Sequence, residues 1–151
     1  MRVLMRDARG STIVEFALVV PLLVLLTVGL LDVARALNAQ VVLKSASEEG
    51  AHFAILNPSA PPSAIQDAAR ARTQPLDATS MAVASEYYST AGATFLPWPS
   101  GGVPASSPNP TGVMVRVTVS YPWSAVSAIA GQFLSSSPVT LTSSTLMETR
   151  R

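Results

Sequence analysis

The sequence predicts an α+β fold, in which a long N-terminal helix, transmembrane in its first half and amphipathic in its second, packs on a small antiparallel sheet. Three observations predict it. Sixteen residues without a charge run from Phe16 to Leu31. A helical recurrence of apolar residues continues from there to Asn57-Pro58. Further on, two segments alternate apolar and polar residues with the two-residue period of strands, Val113–Tyr121 and Val139–Glu148.

The composition bounds the possibilities. The chain has 151 residues, enough for one small domain or a small domain with an attached segment. Only 13% are charged and the mean hydropathy is positive, which excludes charge-driven disorder. A net charge of +1 excludes a nucleic-acid binder driven by charge. The chain has no Cys and one His, so disulfides, zinc-thiolate sites, Cys nucleophiles and His-rich metal sites are not expected.

The apolar run is the main clue. With Ile13 and Val14 it becomes nineteen positions interrupted by Glu15. At about 1.5 Å per residue these span ~28 Å, close to the hydrocarbon thickness of a bilayer. A chain this small could hardly enclose a helix that is apolar on every side. Arg2, Arg6 and Arg9 precede the run against one Asp7, while Asp32 and Arg35 roughly cancel beyond it. The basic end is therefore expected in the cytoplasm and everything after about Asp32 outside. Ala34-Arg35-Ala36 offers a small-x-small site, so release of a secreted protein after Ala36 is one alternative. An uncut, single-pass anchored extracytoplasmic binding protein is another.

Within the run, a carboxylate at Glu15 is costly in low dielectric, which makes it a functional candidate. Pro21 removes an internal helix hydrogen bond and predicts a kink near Ala17. Past Leu31, Val33, Leu37, Val41, Val42, Ala51, Phe53 and Ala54 recur at helical spacing and predict the stripe that meets the sheet. Asp32 with Arg35, and Lys44 with Glu48, are spaced to pair on a helix face. A helix from about Thr12 to Leu56 would be ~67 Å long, ending at Asn57 because the residue before a proline avoids the helical region. His52 is expected on its surface.

Ser63-Ala-Ile-Gln66 reads as a capping box opening a short helix from Ala64 to about Arg72, with Arg70 solvated. Met81–Tyr88 reads as a strand. Ser89–Gly112 holds five Pro, four Gly and four Ser and no charge, and reads as a long loop in which Phe95, Leu96, Trp98 and Val103 either tuck onto the domain or form a contact surface. Pro122 is expected to stop the Val113–Tyr121 strand. Ser124–Leu134 reads as a short helix or compact connection, and Pro138 opens the last strand. The domain plan is thus a basic leader at 1–10, a transmembrane helix at 11–31, its amphipathic continuation at 32–56, and an exported α+β domain at 57–151 with the loop at 89–112. No phosphate loop, metal cluster or nucleophile elbow appears, and Glu48-Glu49 point to different helix faces. No enzyme activity and no cofactor are expected.

A basic leader ending in Gly10, with Glu15 five positions later in an apolar helix, resembles the class III signal of type IV pilins and pseudopilins. Arg9-Gly10-Ser11-Thr-Ile-Val-Glu15-Phe16-Ala-Leu-Val-Val-Pro21-Leu-Leu resembles more closely the TadE-like family of the Tad (tight adherence) pilus system. Gly29-Leu-Leu-Asp32-Val-Ala-Arg35-Ala36 and Ala46-Ser-Glu-Glu-Gly50-Ala51 continue the resemblance, which covers about Arg9 to Ala54. It implies a pilin-like layout and a minor pseudopilin, a structural component of type IVb (Flp) pilus biogenesis and adhesion. It further implies cleavage between Gly10 and Ser11 by a prepilin peptidase, with the apolar segment retained. Ser11 stands where classical type IV pilins have Phe or Met. Glu15 and Phe16 would then set register between subunits, and Pro21 would mark the flexible point of the helix. The implied setting is the bacterial inner membrane, single-pass, N-terminus cytoplasmic. The implied partners are the peptidase, other pilin or pseudopilin subunits and Tad assembly proteins, and no nucleic acid.

Overall fold

The computed structural model describes residues 7–103, 114–125 and 138–148, with side chains from Gly10 onward. Two units are distinguished along the chain, with the division in the helix at Arg35–Ala36. What is described of the first is mainly its part of a helix, α1, which as a whole runs from Asp7 to Leu56. The helix starts five residues before the expected Thr12 and ends where the Asn-Pro pair predicts. There the Asn57 amide donates to the Phe53 carbonyl at 2.9 Å, and its side-chain amide to the same oxygen at 3.1 Å.

The second unit holds α1 from Ala36, a second helix α2 at Pro62–Arg70, and four strands: β1 Ala82–Ser89, β2 Thr94–Pro97, β3 Met114–Trp123 and β4 Val139–Glu148. The strands form one antiparallel sheet in the order β2-β1-β3-β4. The architecture is α+β, as the sequence predicts. β4 has the expected bounds, and it pairs with β3 over ten residue pairs, Met114 with Glu148 through Trp123 with Val139.

The core forms on one sheet face. Val115, Val117 and Val119 of β3 are fully buried, with Leu43, Ala46, Ala51 and Ala54 of α1, Ile65 of α2, and Met81, Trp98 and Val103. The α1 stripe differs from the expected one. The buried positions are Ala39, Leu43, Ala46, Ser47, Gly50, Ala51 and Ala54, whereas Val33, Leu37 and Val41 are more than half exposed. Size decides it. A Cβ on Gly50 would lie 3.1 Å from Val117 Cγ1 and 3.2 Å from Ala69 Cβ, so only small residues permit this approach of helix to sheet. At the β4 side the contact is polar: the Ser47 hydroxyl lies 2.7 Å from Thr145 Oγ1 and 3.3 Å from Ser143 Oγ.

Four local expectations are corrected. α2 starts at Pro62 with Pro61 as N-cap and no side-chain cap bond, because a proline suits the first helical position better than Ser63 suits the cap. Arg70 is half-buried rather than solvated, and its Nη2 donates to the Met81 carbonyl at 3.5 Å. Pro122 does not stop β3: the strand runs to Trp123, past the last β1 pair at Ser120, where that side of β3 is an edge and tolerates a proline. The 89–112 loop contains β2, joined to β1 by a turn with Ala93 at φ 48°. The remainder of that segment splits. Trp98 and Val103 are buried, with Trp98 Nε1 donating to the Ala60 carbonyl at 2.9 Å and the Val103 amide to the Pro58 carbonyl at 2.8 Å. Residues 104–112 lie outside the described residues, as do the leader residues 1–6 and most of the Ser124–Leu134 connection.

Candidate functional site: the N-terminal segment of α1

Gly10, Ser11, Glu15, Phe16 and Pro21 all lie on α1. Gly10 is helical, exposed, and has no atom within 4 Å of where a side chain would begin. One turn on, the Ser11 hydroxyl donates to Glu15 Oε1 at 3.4 Å, so positions 11 and 15 meet along one face. Phe16 is exposed beside Glu15. The helix continues through Pro21, and at Thr27 the hydroxyl donates back to the Leu23 carbonyl at 2.7 Å. Gly29 has open space around it.

What surrounds these residues is apolar and unburied. Ile13, Leu18, Leu22, Leu26 and Leu30 are all more than 60% exposed, and the 18-residue window that marks this helix as able to cross a membrane is 0% buried. The helix fits a single-pass membrane anchor by length and composition. Outward apolar character also outlasts the uncharged run, since Val33, Leu37 and Val41 are 56%, 63% and 64% exposed. From Ile13 to Val41 the helix rises ~42 Å, against about 30 Å of bilayer hydrocarbon.

Residues 10–52 match the family model of the TadE-like protein. This TadE-like segment takes in the charged and small positions just described: Gly10, Glu15, the Asp32–Arg35 ion pair at 3.6 Å, and Gly50 against the sheet. The match connects the chain with a structural, pilus-related family. No curated protein and no solved structure matches the chain.

A second set of charged groups lies on α1 within the second unit. Ser45, Glu48, Glu49 and His52 line an open groove with Arg72 and Met147. Glu49 is 3.3 Å from Arg72 Nε and Glu48 3.9 Å from Lys44 Nζ, so the two carboxylates turn to different partners, and His52 is exposed on the helix surface as the sequence predicts. Two arrangements were missed. Asp77 accepts from the Thr79 amide at 3.0 Å, the Thr79 hydroxyl at 2.7 Å and the Ser80 hydroxyl at 2.8 Å, capping a 3-10 turn at Ala78–Ser80. The Asp-x-Thr-Ser pattern signals such a turn. On the sheet face away from α1, Arg116 pairs with Glu86 at 2.6 Å and stacks 3.9 Å from the Phe95 ring centre, and Tyr88 meets that ring edge-on. No sequence signal joins four residues so far apart.

Proposed function

We propose that the chain is a TadE-like minor pseudopilin that works in Tad pilus biogenesis. It would be held in the bacterial inner membrane by α1 with its basic N-terminus in the cytoplasm, and cut between Gly10 and Ser11 by a prepilin peptidase. The observation that carries this reading is the exposed apolar face of α1. It begins three residues after Gly10, inside the TadE-like segment, and runs past the thickness of a bilayer to Val41. Lipid covers its first part; Val33, Leu37 and Val41, beyond Asp32, need the apolar helices of neighbouring subunits.

Glu15 acts in this packing. Cleavage after Gly10 gives Ser11 an ammonium one turn from Glu15, and the Ser11–Glu15 contact supports that spacing. In a bundle of parallel helices the carboxylate reaches the ammonium of a neighbour. An unpaired charge in low dielectric is heavily penalised, so the pair fixes the vertical register. Phe16 packs at the same level, and Pro21 leaves a carbonyl unbonded one turn above it, where the helix bends.

The experiment is to determine the mature N-terminus of the protein from a membrane fraction. Ser11 is expected. Met1 would identify an uncut anchor and Leu37 a secreted protein, and either would overturn the reading. Gly10→Val should leave the precursor uncut, because the peptidase needs close approach to the backbone there. Glu15→Ala should be inserted and cut normally yet fail to restore piliation in a strain lacking the protein. Full piliation by that variant would remove Glu15 from subunit register.

A further inference from the structure

Both outer edges of the sheet are unpaired among the described residues: β2 on one side and β4 on the other. Natural sheets protect such edges with prolines, lysines or bulges. β4 has none of these over Val139–Glu148, and its one charge is the terminal Glu148. Outside α1, the large hydrophobic side chains that stay exposed among the described residues are Leu96, Val139 and Leu146, and all three belong to the two edge strands. The exposed apolar side chains of the described sheet therefore lie on its two edge strands; β2 lacks one outward donor at Pro97 but keeps the outward groups of Phe95 and the Pro97 carbonyl.

The strand directions select the partner. β1 is antiparallel to both β2 and β3, and β3 is antiparallel to β4, so β2 and β4 run in opposite directions. A second copy shifted sideways without rotation thus presents its β2 antiparallel to β4, with the same sheet face covered and α1 pointing the same way. Antiparallel pairing of β4 with a second β4 instead requires a two-fold axis normal to the sheet. That axis reverses every direction in the sheet plane, including the α1 segment lying on it. The α1 segments on the two sheets would then run antiparallel, whereas the proposed function needs them parallel. To this extent the choice of partner edge rests on the membrane reading above.

The residue rows favour the same contact. One row crosses the sheet as Pro97, Glu86, Arg116, Leu146, and the next as Leu96, Tyr87, Val115, Met147. Continued straight into a second copy, these rows set Leu146 opposite Pro97 of the next copy and Met147 opposite Leu96. Apolar meets apolar in both rows, on opposite sheet faces. The Gln40 side chain holds the Thr142 carbonyl at 3.0 Å, near the other half of β4, and leaves the Leu146–Glu148 end open. We infer that the β4 edge of one copy pairs with the β2 edge of the next, so that the exported domains join side by side in one continuing sheet.

The chain has no Cys, so introduced pairs report this contact cleanly. Pro97→Cys and Leu146→Cys are both at exposed positions, and directly opposite residues in such a pairing bring their Cβ atoms within about 5 Å. The full-length double variant, oxidised in its native membrane, is expected to give a ladder of dimers, trimers and larger species. Each single variant alone should stay monomeric, and the two single variants co-expressed should give dimers and nothing larger. Leu96→Cys with Met147→Cys should give the same ladder from the other sheet face, and Leu146→Lys added to that second pair should abolish it. Failure of both pairs to give a ladder, or dimers from a single β4 variant, would overturn the inference. Fractionation of the same cells reports separately whether the chain is in the membrane, so the pairing and the membrane reading fail independently.

Discussion

Gly50→Val should destabilise the second unit. At Gly50 there is no room for a side chain between α1 and its neighbours: a Cβ there would sit 3.1 Å from Val117 Cγ1, 3.2 Å from Ala69 Cβ and 3.6 Å from the Ile65 carbonyl. Favourable carbon contacts lie at about 3.5–4.0 Å, so the first added atom already needs a shift of a few tenths of an ångström. Valine adds two further methyl groups. Val117, Ala69 and Ile65 are all fully buried, on two different elements, and have no free space to retreat into. Overpacking of this kind costs about 1–3 kcal/mol. The better helix propensity of Val over Gly returns only a few tenths of a kcal/mol. A net loss of about 2 kcal/mol follows, or a fall of about 10 °C in Tm for a folded unit of roughly a hundred residues.

The assay is thermal unfolding of the full chain in detergent, followed by Trp fluorescence, since Trp98 lies in the same core. Ser45→Val, at an exposed position of the same helix, controls for propensity and should change Tm by no more than about 2 °C. Gly50→Ala should fall between the two, since the helix gain of about 1 kcal/mol offsets much of a single methyl's strain. If Gly50→Val melts with the wild type, α1 does not approach β3 as described, and the account of its small-residue stripe is wrong.

Two other predictions follow from local geometry. Gly102 has φ +78° and a Cβ there would lie 2.4 Å from Ser59 Cα, so Gly102→Ala should release the Val103–Pro58 contact and cost about 1–3 kcal/mol, read as faster amide exchange at Val103. Asp77 is held below the ordinary 3.8 by its bonds from the Thr79 and Ser80 hydroxyls and the Thr79 amide. The stability from that depressed pKa is complete above the unfolded value and lost as pH falls through the lower folded value. The stability gap between wild type and Asp77→Ala should accordingly close in acid, and a gap that holds constant to pH 2 would refute the capping role.

How much of this was legible in the sequence depends on how local each signal is. β4 was read end to end, because Pro138 opens it and Val139 and Leu141 alternate with threonines at its start. β2 was not: four residues ending in proline look like loop, and only their pairing with Glu86, Tyr87, Tyr88 and Ser89 makes them a strand. The α1 stripe was read correctly at Ala51, Phe53 and Ala54 and misread at its N-terminal end for a different reason. Periodicity alone assigns the large residues inward, and Val33, Leu37 and Val41 have the right spacing. The sheet instead selects the face that can come closest, and its buried positions are Ala39, Ala46, Ser47, Gly50, Ala51 and Ala54 with Leu43, while Phe53 and Ile55 pack against the core from its side.

The same distinction governs the candidate site. Gly10, Glu15 and the apolar run are visible in sequence because a missing side chain, a lone carboxylate and the absence of charge are properties of single residues and need no tertiary contact to be recognised. The structure leaves Gly10 and Glu15 exposed rather than gathered into a pocket. The misread stripe belongs with them. Had Val33, Leu37 and Val41 packed on the sheet, the apolar face of α1 would end near Asp32. With small residues taking the sheet-facing side, these three remain on the outward side. Contiguous exposed apolar surface of that kind often marks an interaction site. The approach of α1 to its own sheet through small residues is thus what leaves Leu37 and Val41 facing outward.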